Sequence, residues 1–162
     1  MDIGLCFNLK SDFEAPAGAP DDVLAELDGE GTIGAIEEAL RELGHQPRRL
    51  GFGRPLLQAL LERPCALAFN IAEGVGTRSR EAQVPAVLEM LGVPHTHSDP
   101  LTLATTLDKA VAKRLVASHG VPTPAFAVVS SVEEARALRL PLPLFVKPLW
   151  EGSSMGIRQS SR

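Results

Sequence analysis

The fold turns on the stretch Cys65-Ala66-Leu67-Ala68-Phe69-Asn70, the loop Glu73-Gly74-Val75-Gly76-Thr77 after it, and the residues Val84, Val87, Leu88 and Leu91 beyond. The first segment has almost no polar interruption. So short and apolar a run suits a parallel strand covered on both faces, not a half-exposed antiparallel one. Gly74 and Gly76 then open a loop. The apolar residues that follow share one helical stripe that stops at Gly92, so the segment reads strand, loop, helix.

The same rhythm continues toward the N-terminus. Ile3-Gly4-Leu5-Cys6-Phe7 reads as a short buried strand. Residues 9–31, rich in Asp, Glu, Gly, Pro and Ala, form a connection so long that it is either functional or disordered. Thr32 is a candidate helix cap. Ile33, Ile36, Leu40 and Leu43 follow at helical spacing, and Gly44 ends the helix. Gln46 to Leu50 reads as a polar edge strand and Pro55 to Glu62 as a short helix. This alternation predicts a parallel α/β sheet with helices on both faces, burying Leu5, Phe7, Leu67 and Phe69.

Toward the C-terminus the pattern changes. Ser98-Asp99-Pro100 can cap a helix from Leu101 to Leu107, and a second helical piece runs from Lys109 to His119, ended by Gly120. Pro122 and Pro124 mark a border. Two units are therefore predicted: residues 1–121, an N-terminal α/β domain with a helical linker, and residues 122–162, the start of another domain. In the latter, Ala125 to Val129 and Leu144 to Lys147 read as strands and Val132 to Leu138 as a helix. A sheet with so few neighbours leaves an open edge, so residues from about 122 onward are expected to be mobile or ordered by another chain.

Composition narrows the function classes. The chain has 162 residues, 44% hydrophobic and 22% charged, with a formal net charge of −4. No basic run offers a phosphate-backbone footprint, and the absence of Tyr among few aromatics argues against base stacking, so no nucleic-acid partner is expected. No apolar stretch is long enough to cross a bilayer, and the N-terminus lacks a basic-then-apolar leader, so a cytoplasmic location without membrane partners is expected. Cys6 and Cys65 lie in apolar runs and read as buried reduced thiols. No metal-ligand spacing is found around them.

The strongest chemical signal is Phe145-Val146-Lys147-Pro148 followed by Glu151-Gly152-Ser153-Ser154-Met155-Gly156. Pro148 biases Lys147 toward an extended conformation that aims its side chain sideways into a cleft. The small residues after it let backbone N–H groups converge on an anion. Lysine plus an N–H nest suits a polyphosphate, although the Lys precedes the glycines instead of ending them as in the common P-loop. The ordinary structural alternative is a Gly-Ser turn joining two strands. Lys109 and Lys113 share a helix face, which reads equally as a solvated basic face. Gly74-Val75-Gly76-Thr77-Arg78-Ser79 loosely mimics a dinucleotide-binding fingerprint, but Ser79 replaces the third glycine and the loop does not follow the first strand.

These pieces occur in one order: Asn70-Ile71-Ala72-Glu73-Gly74, Arg80-Glu81-Ala82-Gln83-Val84-Pro85-Ala86, Leu91-Gly92-Val93-Pro94-His95-Thr96, Ser98-Asp99-Pro100, Asp108-Lys109, Gly120-Val121-Pro122-Thr123-Pro124, Phe145 to Pro148 and Glu151 to Gly156. Together they resemble D-alanine–D-alanine ligases of the ATP-grasp superfamily, over nearly all of residues 66–158. The resemblance implies an N-terminal α/β domain followed by the beginning of an ATP-grasp domain. It also implies an enzyme that joins two D-alanines with ATP through an acyl phosphate, for peptidoglycan precursor synthesis. A homodimer is admitted. Lys109 and Lys147 would contact ATP phosphates. Glu151, Gly152, Ser153, Ser154, Met155 and Gly156 would form the loop that closes over them, with Ser153 helping to place the substrate at the reacting centre.

The chain also departs from the pattern. Asn70 stands where the family has a His. The family's N-terminal Glu near the first substrate's amine has Glu26 as its nearest counterpart, a residue whose ordinary reading is a solvated loop acid. The family's Mg²⁺ ligands come later than residue 162, so no metal ligand is assigned here and the isolated chain is expected not to turn over. The competing expectation is a non-catalytic relative or fragment with a structural or interaction role.

Overall fold

A computed structural model describes residues 1–161. Strands β1 (Asp2–Cys6), β2 (Gln46–Gly51) and β3 (Leu67–Asn70) form one parallel sheet in the order β2-β1-β3. The expected α/β sheet is thus present, with Ile3 beside Leu67 and Leu5 beside Phe69. β1 is central and nearly all buried, as its apolar sequence requires. At Gly4 an added side chain would collide with Leu50, so the neighbouring core residues occupy its space. β2 is polar because it is an edge: Arg49 lies 2.8 Å from Glu30 and 3.0 Å from Glu37. His95 makes a single parallel bridge to Ala68 on the outer side of β3.

Period-two alternation splits the core into two layers. On one face Ile3, Leu5 and Phe7 pack with Ile33 and Leu40 of α1 (Glu30–Glu42). On the other, Cys6 and Ala68 pack with Leu56 and Leu60 of α2 (Gly53–Glu62) and Val84 and Leu88 of α3 (Gln83–Met90). Leu5 and Phe7 are buried as expected, whereas Leu67 and Phe69 are only partly covered, on the α1 side. Burial lifts the Cys6 thiol to about 12, with the nearby Cys65 adding to the effect, so Cys6 is an inert core residue.

Helix ends follow the sequence signals closely. Past α1 and α3, Gly44 and Gly92 take positive φ, and His45 and Val93 donate to Leu40 O and Leu88 O, the closing pattern of a Schellman cap. The start of α1 corrects one expectation: the helix begins at Glu30 with Gly29 at the cap, and Thr32 lies inside it. The cause is tertiary. Asp28 N–H donates to Asn8 O and Lys10 N–H to Asp28 O, which fixes the chain just ahead of the helix.

Beyond the sheet, α4 (Pro100–Leu107), α5 (Lys109–Ser118) and the short α6 (Val132–Ala137) match the predicted helices. Asp99 caps α4 by accepting Thr102 N–H at 2.9 Å. The strands expected at 125–129 and 144–147 do not form. A strand needs a paired neighbour, and at 144–147 one backbone bond is made, Val146 N–H to Ser161 O at 2.8 Å. Val128, Val129, Phe145 and Val146 stay exposed in consequence.

Candidate functional site

The sheet order places a topological switch at its centre. The connection from β1 through α1 leads to β2 on one side, and β3 lies on the other. In open α/β sheets the crevice at such a point, beyond the carboxyl ends of the strands, is where ligands bind. Here that crevice lies between the segment following β1 and the loop following β3.

The crevice is built from Asn8 outward. Asn8, 1% exposed just past β1, accepts the Gly74 N–H on its Oδ1 at 2.9 Å. Gly74 has φ +69, and any side chain there would collide with the Arg80 carbonyl. Its glycine therefore serves backbone packing, not access for a dinucleotide. Gln83 brackets Val75, accepting its N–H at 3.2 Å and donating to its carbonyl at 2.9 Å. These contacts set Arg80, at the start of the 3₁₀ turn Arg80–Ala82, facing the crevice.

The Arg80 guanidinium is buried and spans the site. It donates to the Glu26 carboxylate, donates to the Trp150 carbonyl at 2.6 Å, and lies 3.6 Å from the Glu151 carboxylate. A buried charge is tolerable only with such pairing. Glu26 is itself only 6% exposed at its side chain, so the reading of it as a solvated loop acid is corrected. Its carboxylate fills the space next to Gly152, where any side chain would collide.

The segment 150–156 is tied down from two further directions. Lys109 Nζ donates to the Glu151 carbonyl, and the Trp150 indole N–H donates to Asp108 Oδ2 at 3.1 Å. Gly156 N–H donates to Asp22 at 2.8 Å. Asp108 also caps α5, accepting from Ala110 and Val111, and the Val111 N–H leads in holding its carboxyl below the usual range. Desolvation holds the Lys109 ammonium below the usual lysine range, with Lys147 and Arg80 adding to it. Desolvation likewise raises Glu81, and it lifts Glu73 to about 7 with Glu26 adding repulsion.

Two clefts result. One of about 240 Å³ is walled by Phe13, Val23, Leu27, Val75 and Met155, with Glu26 and Arg80 as its charged pair. The other, of about 230 Å³, is lined by Glu81, Thr106, Lys109, Glu151 and Gly152. Glu151 borders both.

The structure thus gathers Glu26, Lys109, Glu151 and Gly152. Met155 reaches the first cleft. Lys147 does not join them by direct contact: it is exposed, with its ammonium 5.4 Å from the Phe145 ring centre. Ser153 and Ser154 sit exposed at φ 44 and 62, and the turn is closed by Met155 N–H to Gly152 O at 2.9 Å. Asn70 is 3% exposed and accepts Ala72 N–H, which holds the exit of β3. Sequence reading missed Arg80, Asn8 and Trp150. The Arg80-Glu81 pair just ahead of an apolar helix was their one local signal.

A three-stranded parallel sheet with helices on both faces and a crevice at its switch point defines an α/β protein of the open-sheet class. No family model matches the chain. It is similar to an uncharacterized protein, y4sG, of Sinorhizobium fredii, 38% identical over 133 residues that cover 76% of this chain and 39% of that one. It is similar to the D-alanine–D-alanine ligase of Gluconobacter oxydans, 36% identical over 126 residues, 76% of this chain and 41% of the relative. The solved D-alanine–D-alanine ligase of Bacillus anthracis shares the fold at a TM-score of 0.67 and 20% identity, covering 98% of this chain and 48% of its own. By sequence the chain belongs to the D-alanine–D-alanine ligase family. It spans about two fifths of the length of the curated relatives it matches.

Proposed function

We propose that this chain supplies the amino-acid side and part of the phosphate side of an ATP-dependent carboxylate–amine ligase that joins two D-alanines for a peptidoglycan precursor. In this reading residues 1–121 form the substrate unit and residues 122–162 open the nucleotide unit. The observation that carries it is the convergence of Glu26, Arg80, Lys109 and the 150–156 segment beyond the carboxyl ends of the strands. The names of the relatives support the reaction class, and a neighbour of the same fold was solved as an ATP complex.

The chemistry follows from the donor set. Glu26, held by Arg80, would face a substrate ammonium. Lys109 and Lys147 would hold phosphate oxygens, with the turn from Gly152 to Gly156 as the closing element and Ser153 beside the reacting centre. ATP, when bound, supplies the phosphoryl group that activates a carboxylate. Among the described residues no three His, Cys, Asp or Glu side chains gather as a metal site.

Isothermal calorimetry with ATP on a completed chain, wild type against Lys147→Ala, tests the reading. Lys147→Ala removes a charge-assisted contact worth about 1.5–3 kcal/mol, so affinity should fall roughly tenfold or more. Equal affinity for the two proteins would refute the assignment. The finer expectation is that the 162 residues do not complete ligation by themselves, because Lys109, Lys147 and the 152–156 turn offer cations and N–H donors where phosphoryl transfer also needs a bridging metal. Phosphate release with D-alanine and Mg²⁺ that disappears in Lys147→Ala would overturn it.

A further inference from the structure

Arg80 makes two strong contacts in different directions. Its guanidinium donates to the Glu26 carboxylate, on the segment that follows β1, and to the Trp150 carbonyl, at the entry to the phosphate-side turn. The side chain is 9% exposed, so both bonds form where water competes weakly. Two glycines press the same unit together: Gly74 against the Arg80 carbonyl and Gly152 against the Glu26 carboxylate. A planar guanidinium presents several donors in a fixed fork, whereas an ammonium is a point charge that cannot hold the same two acceptors in one plane.

We propose that Arg80 is a positioning residue, a clasp that holds the 150–152 backbone closed against the acid of the substrate cleft. Closure over the phosphate side and placement of Glu26 then become one event. The proposal deepens the ligase reading and rests on it for its meaning in catalysis, while the clasp itself is a property of the chain alone.

Trp150 is the only tryptophan; its carbonyl accepts from Arg80 and its half-exposed indole donates to Asp108, so its fluorescence follows the segment that the clasp holds. In the 162-residue protein, Arg80→Met should red-shift Trp150 emission and make it easier to quench with acrylamide. Amide exchange at Met155, Gly156 and Ile157 should speed up by roughly tenfold or more, the loss expected for charge-assisted bonds. Arg80→Lys should recover part of the protection, and Glu26→Gln should fall between. Ile33→Val trims the core on the α1 face, so it should lower Tm and leave Trp150 unchanged, which separates the clasp from general destabilisation. If Arg80→Met does not fold, Arg80→Lys and Glu26→Gln decide. Trp150 emission and exchange at 155–157 that match wild type in both would overturn the proposal. A completed chain in which Lys147→Ala binds ATP as tightly as wild type, while Arg80→Lys still loosens Trp150 in the 162-residue protein, would retire the ligase reading and leave the clasp standing.

Discussion

Gly74→Ala and Gly76→Ala differ in one physical respect, and the contrast tests the geometry of the crevice. Both residues have positive φ, +69 and +82. A non-glycine residue in that region costs about 1–2 kcal/mol. At Gly76 an added methyl meets open space, so the conformational cost stands alone. At Gly74 the methyl would collide with the Arg80 carbonyl, and the backbone must shift. That shift breaks the bond from Gly74 N–H to Asn8 Oδ1. Among the described residues Asn8 Nδ2 already has no partner, so the whole buried amide would be left unpaired. An orphaned buried group adds about 1–3 kcal/mol. The total for Gly74→Ala is therefore about 2–5 kcal/mol. At about 2–4 °C per kcal/mol for a chain of this size, Tm should drop by roughly 4–20 °C for Gly74→Ala and about 2–8 °C for Gly76→Ala, with the larger drop at Gly74. Differential scanning calorimetry measures both. Equal drops would refute the argument that Gly74 is required by its approach to Arg80.

Other perturbations read different parts of the molecule. Leu88→Ala, at a residue with no exposure in the α2–α3 layer, should cost about 2–5 kcal/mol in urea unfolding with an unchanged slope. Asp108→Ala removes the cap of α5 and the acceptor of the Trp150 indole, so it should cost about 1–2 kcal/mol and shift Trp150 emission. Glu73 titrates at about 7 in the folded chain against an ordinary 4.5, so the folded state holds the extra proton. Its stabilising contribution is complete below pH 4.5 and is lost as pH rises through 7. In urea titrations across that window, Glu73→Gln should flatten the decline, and a decline as steep as wild type would assign it to other groups.

The sequence alone determined the elements that carry their own periodicity or caps. The apolar run at 65–70 specified a strand, though not how fully it is covered, and the stripe Val84, Val87, Leu88, Leu91 specified α3. Asp99 was legible as a helix start because an N-cap bond joins residues three apart. The ordered motifs also carried the family, over a stretch long enough for chance agreement to fail.

Tertiary structure alone decided the rest, and the reason is sequence distance. Glu26 meets Arg80 across 54 positions, and Arg80 meets Trp150 across 70. No local pattern encodes a partner that far away. It likewise moved the start of α1 from Thr32 to Glu30, since the bonds of Asp28 to the end of β1 fix the entry. It withheld the strands expected at 125–129 and 144–147, because β propensity yields a strand only where a neighbouring backbone is present to pair with it.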